Sequence, residues 1–283
     1  MSMNEIDVDE IIDVVARLCI DANCDLGEDV MAALKEALEN EESPIGREVL
    51  EQLLENARIA REERMPICQD TGLTVVFLEV GKDVRIVGGD LYDAVNEGVH
   101  RGYREGYLRK SVVGDPMIRE NTNDNTPAVV YVDVVPDDKL KIKVLPKGAG
   151  GENVSAIKML TPAEGVKCVK DFVLQVVESA GGKPCPPIIV GVGIGGDFEY
   201  VALLSKRALL RPIGIHNPQK HIEVLEKELL AKINDLGIGP QGFGGRVTAL
   251  AVNIETFACH IGSLPVAVNI NCYAHRYKEA ALG

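Results

Sequence analysis

The spacing of apolar residues changes along this chain, and the change predicts where helices give way to strands. In the first sixty positions apolar residues recur three or four apart. Ile6, Ile11, Ile12, Val15 and Leu18 mark one helix, "EDVMAALKEALENEE" after Gly27 a second, and "SPIGREVLEQLLENARIAREER" a third. Ser43 stands where an N-cap is needed, and Pro44 takes the first helical position, where its missing N–H is no loss.

Beyond these helices the period shortens. "LTVVFLEVG" reads as a buried strand, followed across a turn by a helix in "DLYDAVNEGVHRGYREGYLRKS". "VVGDPMIRENTNDNTP" is dense in Gly, Pro, Asn and Asp, which predicts a long ordered loop, and such loops inside a compact domain carry function. "AVVYVDVVPDDKLKIKVLP" predicts two strands about a Pro-Asp-Asp turn, the second with its lysines toward solvent, and "KGAGGEN" a glycine-rich turn. "TPAEGVKCVKDFVLQVVESAGG" carries a capping box, with Thr161 as N-cap, Pro162 first and Glu164 third, in a helix that stops at Gly181-Gly182. Strand "PPIIVGVG", helices "FEYVALLSKRALL" and "PQKHIEVLEKELLAKIND", and strands "RVTALAVNIE" and "LPVAVNIN" complete the pattern. The order predicts an α/β (mixed α+β) fold. A helical N-terminal region, residues 1–64, packs on a mixed β-sheet with surrounding helices in one domain over residues 1–283, with irregular functional loops at strand ends.

Composition adds limits. With 283 residues, 46% hydrophobic and 26% charged, the chain can bury a substantial core. It contains no apolar run of about 18 residues, and its acidic, amphipathic start is unlike a signal peptide, so a soluble, cytoplasmic protein is expected. A net charge of -13 argues against nucleic acid or an anionic membrane as partner, although a few placed Arg or Lys residues can still receive a small anion. Seven cysteines, an odd number in a chain too large to need staples, point to reduced thiols.

Those thiols are the candidate chemistry. Cys19, Cys24 and Cys168 lie in helical stretches and read as packing, while Cys259 adjoins a strand end and is ambiguous. Cys68 and Cys185 precede strands and Cys272 follows one, each beside Pro, Gly or Asn, where loop residues from distant segments can gather. Their spacing is far too wide for a zinc ribbon or a bacterial ferredoxin run. On the residues alone, three inert thiols and three thiolates around an iron-sulfur cube with one open iron both remain. "GVGIGG" satisfies G-x-G-x-x-G in form, but no acidic residue closes a second strand about twenty positions on, so a helix start facing an anion or metal is the better reading. His100, His216 and His221 read as surface residues. His260 and His275 could bond a carboxylate or move protons, or be structural.

Taken together, "PICQDTG", "LRKSVVGDPMIRENTNDNTPA", "LPKGAGGEN", "PPIIVGVGIGGDFEYVALLSKRALLRP" and "NINCYAHR" resemble the class I (iron-sulfur) fumarate hydratase family, specifically its N-terminal region or separate alpha subunit. The resemblance runs from about residue 5 to 278, and the L-tartrate dehydratase alpha subunit shares much of the pattern. It implies an oxygen-sensitive [4Fe-4S] cluster on Cys68, Cys185 and Cys272, with the fourth iron open to substrate. It also implies that Gln69 and Asp70 belong to the substrate pocket, Arg109 clamps a carboxylate, Gly150 or Gly151 offers backbone contact, and His260 bonds the substrate. Asp70 and His260 are the catalytic candidates. The implied reaction is reversible hydration of fumarate to (S)-malate, as in the tricarboxylic acid cycle. An L-tartrate or mesaconate-type dehydratase is the alternative, and a non-catalytic anion-binding or assembly protein a remote one. Two-domain relatives carry a further domain with more carboxylate-binding residues and a threonine proposed as base. A beta subunit, in a heterodimer or heterotetramer, is therefore expected to complete the pocket, with exposed apolar surface near the thiols marking the interface.

Overall fold

The structure, a computed structural model, describes residues 3–283. In chain order the elements are β1 (Asn4–Asp7), α1 (Val8–Cys24), α2 (Glu28–Asn40), α3 (Pro44–Glu63), β2 (Leu73–Gly81), β3 (Val84–Val87), α4 (Leu91–Glu105), β4 (Val129–Val135), β5 (Leu140–Lys147) and α5 (Ala149–Glu152). There follow β6 (Ala156–Leu160), α6 (Gly165–Ala180), β7 (Ile188–Gly196), α7 (Phe198–Ala208), α8 (Lys220–Asn234), β8 (Ala249–Cys259), β9 (Leu264–Asn271) and β10 (Lys278–Leu282). They form two packed units, and the mixed α/β class is the expected one. One unit holds the residues up to Leu26, Asn56–Ala149 and Arg276–Gly283, and the other Gly27–Glu55 and Gly150–His275.

In the first unit, Asp7 decides where helix begins. Its carboxylate accepts from Asp9 N at 2.9 Å and Glu10 reaches back to Asp7 N at 3.4 Å, a capping box that starts α1 at Val8. Ile6, expected in the helix, therefore lies in β1, which pairs in parallel with β3. It is still buried, in the core where α1 and α4 cover the sheet with Val15, Val76, Leu78, Val99, Ile142 and Val144. The sheet order is β10-β5-β2-β4. β4 and β5 flank β2 instead of pairing with each other across the Pro-Asp-Asp turn, with β2 parallel to β4 and antiparallel to β5. The apolar β2 gains most from the central place, where both edges and most side chains are covered.

In the second unit the order is β6-β9-β7-β8, with β7 parallel to β8 and antiparallel to β9. One face packs against α6 and α8 through Val173, Val177, Val190, Leu229, Val268 and Ile270. α7 covers the other face, and the glycine run makes this possible. A Cβ on Gly191 would stand 2.2 Å from Ser205 O, and one on Gly193 2.3 Å from Val201 O. The run thus lets a helix lie directly on a strand. Asp197 caps α7 by accepting from Tyr200 N at 2.9 Å, filling the place where an anion would sit.

Four short strands escaped the pattern: β1, β3, β6 and β10. "KEAAL" in β10 consists of helix formers, yet it pairs with β5, helped by a Lys143–Glu279 ion pair at 3.0 Å, so tertiary pairing overrides local preference. The capping box before α6 also differs from expectation. Glu164 Oε2 accepts from Thr161 N at 2.6 Å as the motif requires, but the helix starts only at Gly165 and the box forms the turn before it. Gly181 ends that helix at φ +52°, as read from the sequence. Ser43 caps α3 through Gly46 N at 3.2 Å.

Glu41, just past α2, is a buried carboxylate that accepts from Ser43 N (2.8 Å), Glu42 N (2.9 Å), Arg246 N (2.9 Å) and Val247 N (2.9 Å). Burial pushes its pKa up, but the four amides outweigh it and hold the carboxyl below its ordinary range. The unfolded carboxyl takes its proton first as pH falls. Its contribution is therefore present above about pH 4.3 and is lost as pH drops toward the folded pKa. Urea denaturation should show Glu41→Gln weaker than wild type by about 1–3 kcal/mol at pH 7, with the gap shrinking below about pH 4. Likewise, Gly193→Ala should lower stability by about 1–3 kcal/mol, because the added methyl forces α7 off β7. An unchanged urea midpoint would contradict that packing.

Candidate functional site

In the first unit the candidate residues gather at the turn into β2. Ile67 anchors it, its N–H on Asn23 O at 2.9 Å and its carbonyl accepting from Asn56 Nδ2 at 2.9 Å. Cys68 is half-buried; its thiol donates to Gln69 Oε1 at 3.3 Å and its sulfur accepts from Asp70 N at 3.4 Å. A backbone N–H aimed at sulfur is also the contact that a metal-bound cysteine receives. Asp70 Oδ1 accepts from Gly72 N at 3.0 Å and Oδ2 from Ala149 N at 2.8 Å, so backbone amides fix the carboxylate plane. Thr71 Oγ1 donates to Arg109 O at 2.7 Å, tying the turn to the residue whose exposed guanidinium was expected to clamp a carboxylate.

Beneath the turn lies a buried polar layer that sequence reasoning missed. The Tyr103 hydroxyl stands 2.6 Å from Thr71 O and 3.0 Å from Gly72 O. Asn125 Nδ2 reaches Gly72 O and Thr74 Oγ1, both at 3.3 Å, and its Oδ1 accepts from Ser111 N at 2.7 Å. Arg276, also buried, donates through Nη2 to Asp70 O. Asn125 and Arg276 both fall inside the quoted motifs, which was the available signal. Tyr103 gave none, since one tyrosine in a helical stripe reads as core.

The other cysteines of this unit, Cys19 and Cys24, are buried in it. Burial pushes the Cys19 thiol up to about 12 and raises that of Cys24, which makes both poor thiolates. Cys168, in the second unit, packs half-buried against the core of that unit.

In the second unit, Cys185 occupies the left-handed backbone region at φ +54°, which a residue with a Cβ adopts only when its surroundings hold it there. Its N–H donates to Gly182 O at 3.1 Å, and its carbonyl accepts from Tyr273 N at 3.2 Å. That bond joins the Cys185 turn to the segment beginning at Cys272. The pairing Ile189↔Asn271 already brings the start of β7 beside the end of β9. Gly150 runs past the same turn, where a Cβ on it would meet Lys183 O at 3.5 Å. Gly151 follows, buried, with its carbonyl accepting from Ser155 Oγ at 2.9 Å. His275 is buried with its Nδ1 2.8 Å from Asn271 Nδ2, which gives this ring a structural bond.

His260 lies elsewhere. It sits in the turn before β9, whereas Cys272 follows that strand, and the eight residues of β9 span about 25 Å at roughly 3.3 Å each. The structure therefore puts His260 at the opposite end of this sheet from Cys185 and Cys272. Its Nδ1 accepts from Gly262 N at 3.0 Å, which leaves the neutral ring's proton on Nε2. With Gly196, Asp197, Tyr200, Phe257 and Cys259 it lines an open cavity of about 580 Å³. Exposed Phe198, Phe257 and Ile261 belong to that end, while exposed Phe243 lies near the cysteine end, two residues after Gln241, whose N–H bonds Pro186 O. In the first unit, Tyr107, Met117 and Ile118 are exposed on the loop that carries Arg109.

Among the described residues no three or more His, Cys, Asp or Glu side chains are grouped to hold one metal ion. A single ion draws its donors to about 2.0–2.3 Å from one point, whereas a four-iron cluster takes each thiolate on a different iron. The donor set is nevertheless suited to a cluster: Cys68 receives a backbone N–H on sulfur, and Cys185 and Cys272 stand on adjoining segments at strand ends. Also among the described residues, no helix is long and apolar enough to cross a membrane.

Comparison with known proteins adds what geometry does not. The family model described as "Fumarate hydratase (Fumerase)" matches residues 12–281. A Methanocaldococcus jannaschii protein named "Putative L(+)-tartrate dehydratase subunit alpha" is 46% identical over 273 residues, covering 94% of this chain and 95% of that protein. The L(+)-tartrate dehydratase subunit alpha of Escherichia coli is 33% identical over 273 residues, covering 95% of this chain and 89% of its own length. The Shigella boydii protein of the same name matches to the same extent.

The buried layer under the turn is open to direct measurement. Tyr103→Phe removes a donor from the Thr71 and Gly72 carbonyls and should lower stability by about 1–3 kcal/mol in urea, with faster amide exchange at Asp70 and Gly72. Unchanged exchange at those two amides would show that the phenol does not hold the turn.

Proposed function

Because this chain belongs to the fumarate hydratase family, we infer that it is the alpha subunit of an iron-sulfur hydro-lyase acting on fumarate and (S)-malate, completed by a beta subunit. Enzyme class follows from the family, and the chain is a hydro-lyase. The observation that carries the finer reading is the turn at Cys68, which presents a thiol, an amide and a backbone-fixed carboxylate in consecutive positions. The proposed cluster ligands are Cys68, Cys185 and Cys272. Once bound, the cluster supplies a Lewis acid at the iron that has no cysteine.

The remaining roles belong to the chain. Arg109 matches a carboxylate with a planar two-point fork that lysine cannot copy. Gln69 is exposed beside Cys68 and offers an amide to substrate oxygen, and Gly150 and Gly151 offer backbone contact. Each Asp70 oxygen accepts one amide, which leaves a second lone pair to take a proton from the substrate carbon's base during dehydration and return it during hydration. His260, the remaining substrate-bonding and catalytic candidate, stands within its unit at the far end of β9 from Cys272. The relatives' names, each a subunit alpha, support a beta partner, and exposed Tyr107, Met117 and Ile118 beside Arg109 are the surface we assign to it.

Those names also favour a second reading, dehydration of L(+)-tartrate. Small pocket differences shift such preferences by about 1–3 kcal/mol. Alpha chain reconstituted anaerobically with its beta subunit should show kcat/KM on fumarate and malate at least about tenfold above L(+)-tartrate and mesaconate. A higher value on tartrate would reverse the assignment. The same preparation should hold about four irons per chain, lost in Cys68→Ser, Cys185→Ser and Cys272→Ser but kept in Cys19→Ser and Cys168→Ser. Full iron in all three serine variants would remove the cluster from this proposal.

A further inference from the structure

Arg276 is 4% exposed, and the acceptor it reaches is a neutral carbonyl, that of Asp70. Its Nε and Nη1 are buried and meet no hydrogen-bond partner among the described residues. Arginine keeps its charge at any pH a protein survives, and a buried charge with dry donors is strongly unfavourable unless an anion balances it. The second unit shows how this fold treats such a group when it can. Arg211, itself largely covered, reaches Glu226 Oε1 at 2.5 Å, Glu255 Oε1 at 2.6 Å and Ile254 O at 2.5 Å. Among the described residues Arg276 has no counterpart to those carboxylates.

The position of the unbalanced charge is informative. Arg276 grips the turn at Asp70, two residues after Cys68, whose sulfur takes the Asp70 N–H. The same peptide segment is thus held by the guanidinium from its carbonyl side and directs an N–H at the sulfur. A buried water would satisfy hydrogen bonds but leave the charge.

We propose that Arg276 is a positioning residue: a fixed positive charge under the Cys68–Gly72 turn that balances the anionic centre formed when Cys68 binds metal as a thiolate, while holding Asp70 in place. The inference rests on the cluster reading above. It assigns to this chain's own arginine the charge compensation that a negative metal-thiolate centre needs in a low-dielectric setting, where Coulomb terms are largest.

The test uses the full chain with its partner subunit, comparing wild type, Arg276→Lys and Arg276→Gln. Two quantities are read: iron release to a chelator under anaerobic conditions, and the melting temperature of the metal-free protein. Arg276→Gln should release iron at least about tenfold faster than wild type, with Arg276→Lys within about threefold, because it keeps the charge. Metal-free Arg276→Gln should melt no lower than wild type, since it no longer buries an unbalanced charge. Equal release rates in Arg276→Gln and wild type overturn the proposal. So does a fall in the metal-free melting temperature of Arg276→Gln, which marks a scaffold role. A wild type that takes up no iron removes the cluster reading and this inference with it, whereas iron-loaded wild type with an unaffected Arg276→Gln removes this inference alone.

Discussion

The carbonyls of Thr71 and Gly72 turn inward, to a place where the surrounding residues are buried and water cannot serve as donor. That constraint shapes the first unit. A buried carbonyl must find an N–H or O–H, and here the donors come from α4 through Tyr103 and from the long loop through Asn125. With the backbone committed below, Cys68, Gln69 and Asp70 keep their functional atoms above it. The loop after α4 is ordered for the same reason: Thr71 holds Arg109 O and Asn125 holds Ser111 N.

In the second unit strand direction does the comparable work. Antiparallel pairing of β7 and β9 sets the start of one against the finish of the other, so Cys185 and Cys272, separated by most of the unit's sequence, stand on bonded segments. The same geometry sends His260 to the opposite end. Twelve positions of sequence separate His260 from Cys272, and a strand converts that separation into length rather than proximity.

Charge is handled locally against an acidic background. Glu41 is surrounded by amides and Arg211 by carboxylates, so each buried charge has its answer inside the fold. Arg276 differs from both, and Arg109 lies exposed on the loop bound to the same turn. A net charge of -13 therefore says little about what this chain can receive, because binding depends on the few cations near the receiving atoms.

Read alone, the sequence determined the helix and strand identity of the long elements, since eight or more residues of apolar period outweigh local ambiguity. β2, α4, α6, α7, α8 and β9 all follow it. Its motifs likewise determined the family and singled out Cys68, Asp70 and Arg109 as candidate site residues. Short strands such as β10 were illegible because five helix-forming residues become a strand only when a neighbour, here β5, supplies the pairing. The glycine run reads as a helix start facing an anion or metal, whereas in the fold it lets α7 lie on β7. Tertiary structure alone decided that Tyr103, Asn125 and Arg276 support one turn and that His260 stands apart from Cys272. Burial, partner and direction are relations between distant segments, and a linear pattern records only what each residue is, not what covers it.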